Sequence, residues 1–268
     1  MPAGLRICID IRLILPVKRF GNLARTVPAL AFSALFLVGC VNVPVGDQVI
    51  VHQDGRTVRT ERAACVKGWF AATSGARQSP GLDPADFCLM ILKVHKAQES
   101  KWAVDFARLG AGRDILLFQE AYLTPRFRAA LQQPGYGWTM VRAFDLNGVE
   151  SGVLTASKVE TSGACVTRSL EPLVRVPKSA LLTRYPLNGS SEELWVANLH
   201  GINFSTDTRR YGEQLESVAG ILAPHRAPLV LGGDCNERRV CRRGALHGIP
   251  AALGLLPLML AVAIRSLH

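Results

Sequence analysis

The segment from Leu194 to Asn236 constrains the fold more strongly than any other part of the chain. Apolar runs of strand length, LWVANL (194–199) and PLVLGG (228–233), lie near its two ends, with polar residues at the end of each run. Between them, residues recur at helical spacing, at Tyr211, Gln214/Leu215, Val218 and Ile221/Leu222, and the first of these form a Y-x-x-Q-L pattern. A strand, a helix and a second strand with polar strand ends predict an α/β sheet that presents a functional site at one edge.

The composition bounds the class of protein. A chain of 268 residues with 49% hydrophobic content can bury one sizeable core without help from disulfides or metals. Charged residues make up 19%, and there is no low-complexity tract, so extensive disorder is not expected. The formal net charge of +10 favours phosphate-bearing ligands or an anionic membrane surface, although ordinary solubility explains it equally well.

Residues 1–39 are predicted to be a signal peptide. An apolar run, VPALAFSALFLVG (27–39), follows several basic residues and is too short for a comfortable membrane span. It leads into Leu-Val-Gly-Cys, which resembles the bacterial lipobox and implies cleavage before Cys40 and acylation of its thiol. The alternative is a buried core helix. Lipidation would anchor the protein to the bacterial membrane at the cell envelope, facing the oxidising periplasm.

The rest of the chain divides into two parts. Residues 40–86 are rich in Gly, Pro, Thr, Arg and Asp, with only one short strand predicted, at Gln48–His52, and we interpret them as a tether and lead-in. Residues 87–268 form the predicted domain. Helices alternate with strands early in it and strands follow one another later, which indicates an α/β sandwich with mixed sheets. Strands are predicted over 87–94, 115–118, 152–157, 173–176, 179–187 and 194–199.

Candidate functional residues stand where predicted strands end. Glu120 follows one such strand, and its carboxylate suits a hard divalent cation such as Mg²⁺. Asp234 and Asn236, in Gly-Gly-Asp-Cys-Asn, can orient a water molecule and hold a phosphate oxygen. His200 can stabilise charge on a transferring phosphoryl group, and Lys178 can pair with a phosphate. Each residue alone has an ordinary structural explanation, so it is their order and spacing together that indicate phosphoryl chemistry.

In this order the motifs resemble the endonuclease/exonuclease/phosphatase superfamily, the DNase I-like fold, and most closely its YafD-type bacterial branch. The matching pieces include ILKVHKAQESKWAV, DILLFQEA, PKSALLTRYPL, LWVANLHGINFS and PLVLGGDCN, and they extend from Met90 to about Leu255. The resemblance implies a four-layer α/β sandwich with two mixed sheets. It also implies hydrolysis of a phosphodiester or phosphomonoester that depends on Mg²⁺ or Mn²⁺.

The resemblance also implies a role for each candidate residue: Glu120 as the metal ligand, His200, Asp234 and Asn236 as catalytic residues, and Lys178 and Asn198 as phosphate contacts. The substrate class stays open among nucleic acid, nucleotide and lipid headgroup. No obligate protein partner is indicated by the sequence.

Three departures from the family pattern bear on activity. Lys93 stands where the family has an Asn that helps to bind the metal, and a cation there competes with Mg²⁺. Glu237 and Arg238 replace the residues that usually follow Gly-Asp-Phe-Asn. The sequence ends at His268, before the family's late Leu-Asp-His and Ser-Asp-His motifs, so we expect the last strands to be missing and activity to be reduced or lost. The alternative is a non-catalytic envelope lipoprotein that binds a phosphate-rich ligand or a partner.

Overall fold

The computed structural model describes residues 6–13, 41–44, 48–53, 56–61, 70–71, 80–94, 102–132, 134–172, 175–203, 209–226, 228–235, 248, 251 and 253–256. Within these ranges, no helix has the length and apolar character needed to cross a membrane. Cys40 and Asn236 lie outside the described residues, as does most of the predicted signal peptide, so their proposed roles stay predictions.

The described strands, in chain order, are β1 (Arg6–Leu13), β2 (Val41–Asn42), β3 (Gln48–Gln53), β4 (Arg56–Glu61), β5 (Phe70–Ala71), β6 (Asp86–Lys93), β7 (Ile115–Tyr122), β8 (Gly137–Leu146), β9 (Val149–Ser157), β10 (Gly163–Leu170), β11 (Pro177–Pro186), β12 (Glu193–His200) and β13 (Leu229–Asp234). The described helices are α1 (Trp102–Gly110), α2 (Pro125–Gln132) and α3 (Arg209–Leu222).

Both sheets mix parallel and antiparallel pairs. The larger sheet has the order β1-β6-β7-β9-β8-β3-β4, and β2 pairs with β8. Its β1, β6 and β7 run parallel, and its other pairs are antiparallel. The smaller sheet has the order β13-β12-β11-β10-β5, in which β12 and β13 are the parallel pair. The predicted α/β sandwich with mixed sheets is therefore confirmed.

The layers follow from the period of two along the buried strands. In β6, Met90 and Leu92 belong to the cluster that packs against α1 and α2, whereas Leu89 and Ile91 belong to the cluster between the two sheets. On the outer face of the smaller sheet, α3 buries all but one of the residues that its helical spacing predicted, namely Tyr211, Gln214, Leu215, Val218 and Leu222, whereas Ile221 is only partly buried. Helices, sheet, sheet and helix make four layers.

Some predicted element positions differ from the structure. The strand predicted over 173–176 is wrong in its described part, because Arg175 has a φ of 53° and donates its backbone N–H to the Glu171 carbonyl in a turn that precedes β11. Segment 40–86, interpreted as a tether, contains β2 to β5, which pair within the two sheets. Likewise, β1 lies in the predicted signal peptide and pairs with β6. The predicted domain boundaries stay a prediction.

Candidate functional site

Two pairs of parallel strands bring the candidate residues to one edge. In the smaller sheet, His200 and Asp234 are register partners at the carboxyl ends of β12 and β13. In the larger sheet, Lys93 at the end of β6 is the register partner of Gln119, which precedes Glu120. The carboxyl ends of neighbouring parallel strands meet at the same edge of a sheet, and the two sheets face each other there.

Lys93 joins the two sheet edges. Its Nζ lies 2.6 Å from Oδ2 of Asp234 and 3.3 Å from Oε1 of Glu120. Burial lowers the pKa of Lys93, but the hydrogen bond to Asp234 and the two nearby carboxylates outweigh that effect, so the net change is a rise. Lys93 is therefore a charged ammonium paired with two carboxylates from different sheets.

Glu120 reaches Lys93 through an irregularity in β7. The pairing of β7 with β9 shifts register between Phe118 and Ala121, which marks a β-bulge. Within this bulge Glu120 has a φ of 58°, in the left-handed region that side chains with a Cβ rarely adopt. Such backbone strain concentrates at functional sites, where surrounding structure holds it in place. The bulge places the Glu120 carboxylate in contact with the Lys93 ammonium.

Gly233 allows β13 to approach β12 closely just before Asp234. Its φ is +135°, and a Cβ at this position would lie 2.0 Å from the carbonyl oxygen of Leu199. Only glycine is compatible with both the backbone angle and the distance. The second Gly of the Gly-Gly-Asp motif therefore positions the Asp234 carboxylate.

Lys178 and His200 form the second half of the cluster. Lys178 Nζ donates a 2.8 Å hydrogen bond to His200 Nε2. Burial and the positive charge of Lys178 lower the pKa of His200 to about 3. Burial also lowers the pKa of Lys178. His200 is consequently a neutral imidazole at neutral pH, and its Nε2 lies 3.8 Å from Glu120 Oε1 and 3.9 Å from Asp234 Oδ2.

Asn198 lies beneath this cluster and is fully buried. Its Oδ1 accepts a 2.7 Å hydrogen bond from Gln119 Nε2, and its Nδ2 donates to the Leu154 carbonyl at 3.0 Å. A side-chain amide that is buried and hydrogen-bonded within the protein cannot reach a bound phosphate without breaking those bonds. In this structure Asn198 joins the two sheets, and its predicted role as a phosphate contact stays a prediction.

Side chains of helix α3 form hydrogen bonds with the backbone at the ends of the strands that carry His200 and Asp234. Gln214 donates a 3.1 Å hydrogen bond to the His200 carbonyl and accepts one of 2.9 Å from the Ile202 backbone N–H. Tyr211 donates a 2.8 Å hydrogen bond to the Cys235 carbonyl. The Y-x-x-Q spacing indicates that Tyr211 and Gln214 share one face of the helix. It does not indicate that they hold the ends of β12 and β13 in position.

Glu171 is a further polar residue that the sequence did not single out. It is fully buried, and its carboxylate accepts the backbone N–H of Asn203 at 3.0 Å and 3.2 Å. It is also the largest of the charges that offset the effect of burial on Lys178. Its position, in an exposed-looking Leu-Glu-Pro turn of the sequence, gave no signal of this burial.

The described residues do not fit a divalent cation between Glu120 and Asp234. Mg²⁺ and Mn²⁺ prefer about six oxygen ligands. Here the Lys93 ammonium contacts both carboxylates, and an ammonium has three donors and no lone pair to offer a metal. Across the described part of the chain, no group of three or more His, Cys, Asp and Glu residues is placed to hold a metal ion.

The structure thus brings Glu120, Lys178, His200 and Asp234 together and adds Lys93 at their centre. The catalytic and binding roles predicted for these residues stay predictions. Lys93, noted in the sequence only as a departure from a motif, is the residue that contacts both carboxylates.

The chain is similar to a known protein family and to several bacterial proteins. The model of the Endonuclease/Exonuclease/phosphatase family matches residues 85–255. A UPF0294 protein of Vibrio cholerae is 35% identical over 179 residues, which cover 66% of this chain and 63% of that protein. A UPF0294 protein of Vibrio campbellii is 32% identical over 231 residues, which cover 81% of this chain and 78% of that protein. The chain therefore spans less than two thirds of the length of the Vibrio cholerae relative.

Among solved structures, sphingomyelinase C from Streptomyces griseocarneus is similar with a TM-score of 0.49 and 16% sequence identity, covering 67% of this chain and 72% of that one. An endonuclease/exonuclease/phosphatase family protein from Leptotrichia buccalis has a TM-score of 0.45 and 13% identity, covering 61% of this chain and 73% of that one.

Proposed function

This chain belongs to the endonuclease/exonuclease/phosphatase family, and on that premise we propose that it hydrolyses phosphoester bonds at the cluster of Lys93, Glu120, Lys178, His200 and Asp234. The observation that carries the proposal is the buried pair of Lys178 and His200 beside two carboxylates. Two sheets deliver these groups to one edge, which is where α/β folds place their sites.

Lys178 and His200 can interact favourably with the negatively charged oxygens of a phosphoryl group. Phosphoryl transfer asks a protein mainly to position the reacting groups and to neutralise the oxygens. Lys178 supplies a positive charge, and its N–H groups can move from His200 Nε2 to a phosphate oxygen. His200 is neutral in the free site, so Lys178 rather than His200 meets the ground-state charge of the substrate.

The proposed hydrolysis uses no divalent cation between Glu120 and Asp234. The family resemblance implies dependence on Mg²⁺ or Mn²⁺, but the Lys93 ammonium already pairs with both carboxylates. In this arrangement the carboxylates fix the position of Lys93, and Lys93 adds a second positive charge near the phosphate.

The substrate that we propose is a phosphodiester or a phosphomonoester in a nucleic acid, a nucleotide or a lipid headgroup. Residues 1–39 carry +4 of the formal net charge of +10, so a chain cleaved before Cys40 keeps a charge of +6. This positive charge supports an anionic substrate of any of these kinds because it raises the local concentration of anions.

We further propose that the protein works at the cell envelope, anchored through Cys40 and facing the periplasm. The Leu-Val-Gly-Cys motif after an apolar run supports the anchor. Cys165, which is disulfide-bonded, supports an oxidising compartment.

A comparison of matched variants tests the hydrolase. Turnover of bis(p-nitrophenyl) phosphate and of p-nitrophenyl phosphate is measured for the wild type, His200→Ala, Lys178→Ala and Lys158→Ala. Loss of a positioned charge or proton-transfer group in the site should lower turnover by about 10²–10⁴-fold. Lys158 contacts Asp114 outside the cluster, so its variant should keep wild-type turnover. Wild-type turnover no higher than that of His200→Ala would contradict the proposal.

One observation favours a second candidate, a non-catalytic protein that binds a phosphate-bearing ligand or a partner at the envelope. Asp234, which is predicted to orient a water molecule, pairs instead with Lys93, whose Nζ lies 2.6 Å from Asp234 Oδ2. Binding of inorganic phosphate that requires Lys178, without turnover of either ester, would support this candidate over the hydrolase.

A further inference from the structure

We propose that Lys93 is the resident cation of this site, because its ammonium holds the position between Glu120 and Asp234 and thereby keeps divalent cations out of it. The proposal deepens the proposed function and rests on it for the identity of the site. The contacts of the Lys93 side chain with Glu120 and Asp234 support it.

The two contacts of Lys93 come from elements that the fold holds independently. Asp234 ends β13 of the smaller sheet, and Glu120 lies in the bulge of β7 in the larger sheet. Lys93 Nζ lies 2.6 Å from the first carboxylate and 3.3 Å from the second. An ammonium at these distances occupies the volume that a shared metal ion would need, since bound Mg²⁺ lies about 2.1 Å from each oxygen.

Partial burial also disfavours movement of the Lys93 side chain away from Glu120 and Asp234. Only 18% of the Lys93 side chain is exposed, and the two carboxylates are 26% and 19% exposed. If Lys93 moved away, both carboxylates would lose a charged hydrogen-bond partner in a partly buried setting, which is costly.

The charges of the cluster balance without a metal. Within the cluster, Glu120 and Asp234 supply two negative charges, and Lys93 and Lys178 supply two positive charges. The buried Glu171 adds a negative charge that acts on Lys178 from outside the cluster. A divalent cation would add two more positive charges next to two ammonium groups, and like charges at a few ångströms repel strongly when they are partly buried. Removal of the Lys93 charge should reverse this balance and open the site to a cation.

A Mn²⁺ titration of the full chain, followed by isothermal calorimetry, tests the proposal. The variants are Lys93→Asn, the double variant Lys93→Asn/Glu120→Gln, the single variant Glu120→Gln, and Lys158→Asn as the control. Lys158 is matched to Lys93 because it also contacts an aspartate, Asp114 at 3.9 Å, but lies outside the cluster. Circular dichroism checks that each variant is folded. Lys93→Gln serves as a second neutral variant in case Lys93→Asn does not fold.

The expected result is that Lys93→Asn or Lys93→Gln gains about one equivalent of Mn²⁺ relative to the wild type, with affinity at least about tenfold tighter than any wild-type binding at this site. Adding Glu120→Gln should abolish the gain, and Lys158→Asn should bind as the wild type does. Two results would overturn the proposal: Mn²⁺ binding by the wild type that Glu120→Gln removes, or folded Lys93 variants that gain no Mn²⁺.

The titration needs no turnover, so it separates this proposal from the proposed function. A Lys93 variant that gains Mn²⁺ in a chain without hydrolytic activity would support the resident cation and contradict the hydrolase. Hydrolysis by a wild type that binds Mn²⁺ through Glu120 would contradict the resident cation and the metal-free form of the reaction, but it would support hydrolysis at this cluster.

Discussion

The side chain of Gln119 donates a 2.7 Å hydrogen bond to Oδ1 of Asn198 and so ties the larger sheet to the smaller one. Both residues are buried, and each stands next to a site element: Gln119 precedes Glu120, and Asn198 lies two positions before His200. The packing of the two sheets and the geometry of the site therefore depend on the same pair of amides.

We expect Asn198→Ala to lower the free energy of unfolding by about 1–3 kcal/mol, because the variant removes the 2.7 Å hydrogen bond from the buried Gln119 amide and the 3.0 Å hydrogen bond to the Leu154 carbonyl. Urea denaturation measures the change. Asn188→Ala, at an exposed turn position, is the matched control and should stay within about 0.5 kcal/mol of the wild type. An equal effect of the two substitutions would show that the sheet junction contributes nothing particular.

The left-handed backbone of Glu120 predicts a difference between two substitutions that both remove its carboxylate. Glu120→Gly should be more stable than Glu120→Ala by about 1 kcal/mol, because glycine adopts a φ of 58° without a steric penalty. Thermal unfolding of the two variants under identical conditions checks this. If the alanine variant were the more stable, the bulge would carry no backbone strain at this residue.

Gly233 and Gly220 predict opposite outcomes for the same substitution. Gly233→Ala should destabilise the fold by roughly 2 kcal/mol or more, because the new Cβ would lie 2.0 Å from the Leu199 carbonyl oxygen. Gly220 lies on the exposed side of α3, and a methyl group added there would meet nothing within 4 Å, so Gly220→Ala should stabilise by up to about 1 kcal/mol. Chemical denaturation measures the free energy of unfolding of both variants. A Gly233→Ala variant as stable as the wild type would contradict the close approach of β13 to β12.

Stability should fall as the pH is lowered because of His200. Burial and Lys178 lower its pKa to about 3 from an ordinary value of 6.5. As the pH falls below 6.5, the unfolded chain binds a proton that the folded chain does not, so the unfolding free energy decreases toward pH 3 by up to about 1.4 kcal/mol per pH unit. Above 6.5 this contribution is constant.

The variant His200→Gln should show a shallower pH slope than the wild type in urea denaturation between these two pKa values. His225, whose pKa is also lowered by burial, remains in both proteins and cancels from the comparison. Identical slopes would mean that His200 titrates normally in the folded chain.

A lipid anchor predicts that Cys40→Ser changes both the mass and the membrane partition of the mature protein. Cleavage before Cys40 would also remove β1, so the wild type and Cys8→Ser should then have the same mature mass. Mass spectrometry of the membrane fraction checks both statements. A mature protein that retains residue 8, or a Cys40→Ser variant that partitions like the wild type, would contradict the anchor.

Periodicity carried the prediction of the fold. The continuous apolar run of β6 reflects a strand buried on both faces, the helical spacing of α3 reflects one buried face, and both patterns are local properties of the sequence. The turn at Arg175 was predicted as a strand because its neighbours Leu173, Val174 and Val176 are apolar, whereas its conformation depends on a hydrogen bond to Glu171. Strands β8 and β10 carry polar residues among their apolar ones and gave no clear run.

The site could be predicted only as a set of residue types at strand ends. Glu120, Lys178, His200 and Asp234 were identifiable because their motifs keep a fixed order along the chain. The contact of Lys93 with both carboxylates could not be predicted in this way. Lys93 and Asp234 are 141 positions apart in the sequence, and their contact depends on how the two sheets face each other. The burial of Asn198 has the same origin, because the partner that holds it belongs to the other sheet.

The attachment of α3 to two strand ends makes the site a single cooperative unit. Gln214 holds the end of β12 and Tyr211, one helical turn away, holds the residue after β13. The strand ends are also bonded to each other, since the Gly201 N–H donates to the Asp234 carbonyl at 2.8 Å. A fluctuation that frees His200 must therefore loosen α3 and release Asp234 as well, so the two residues are ordered together or lost together.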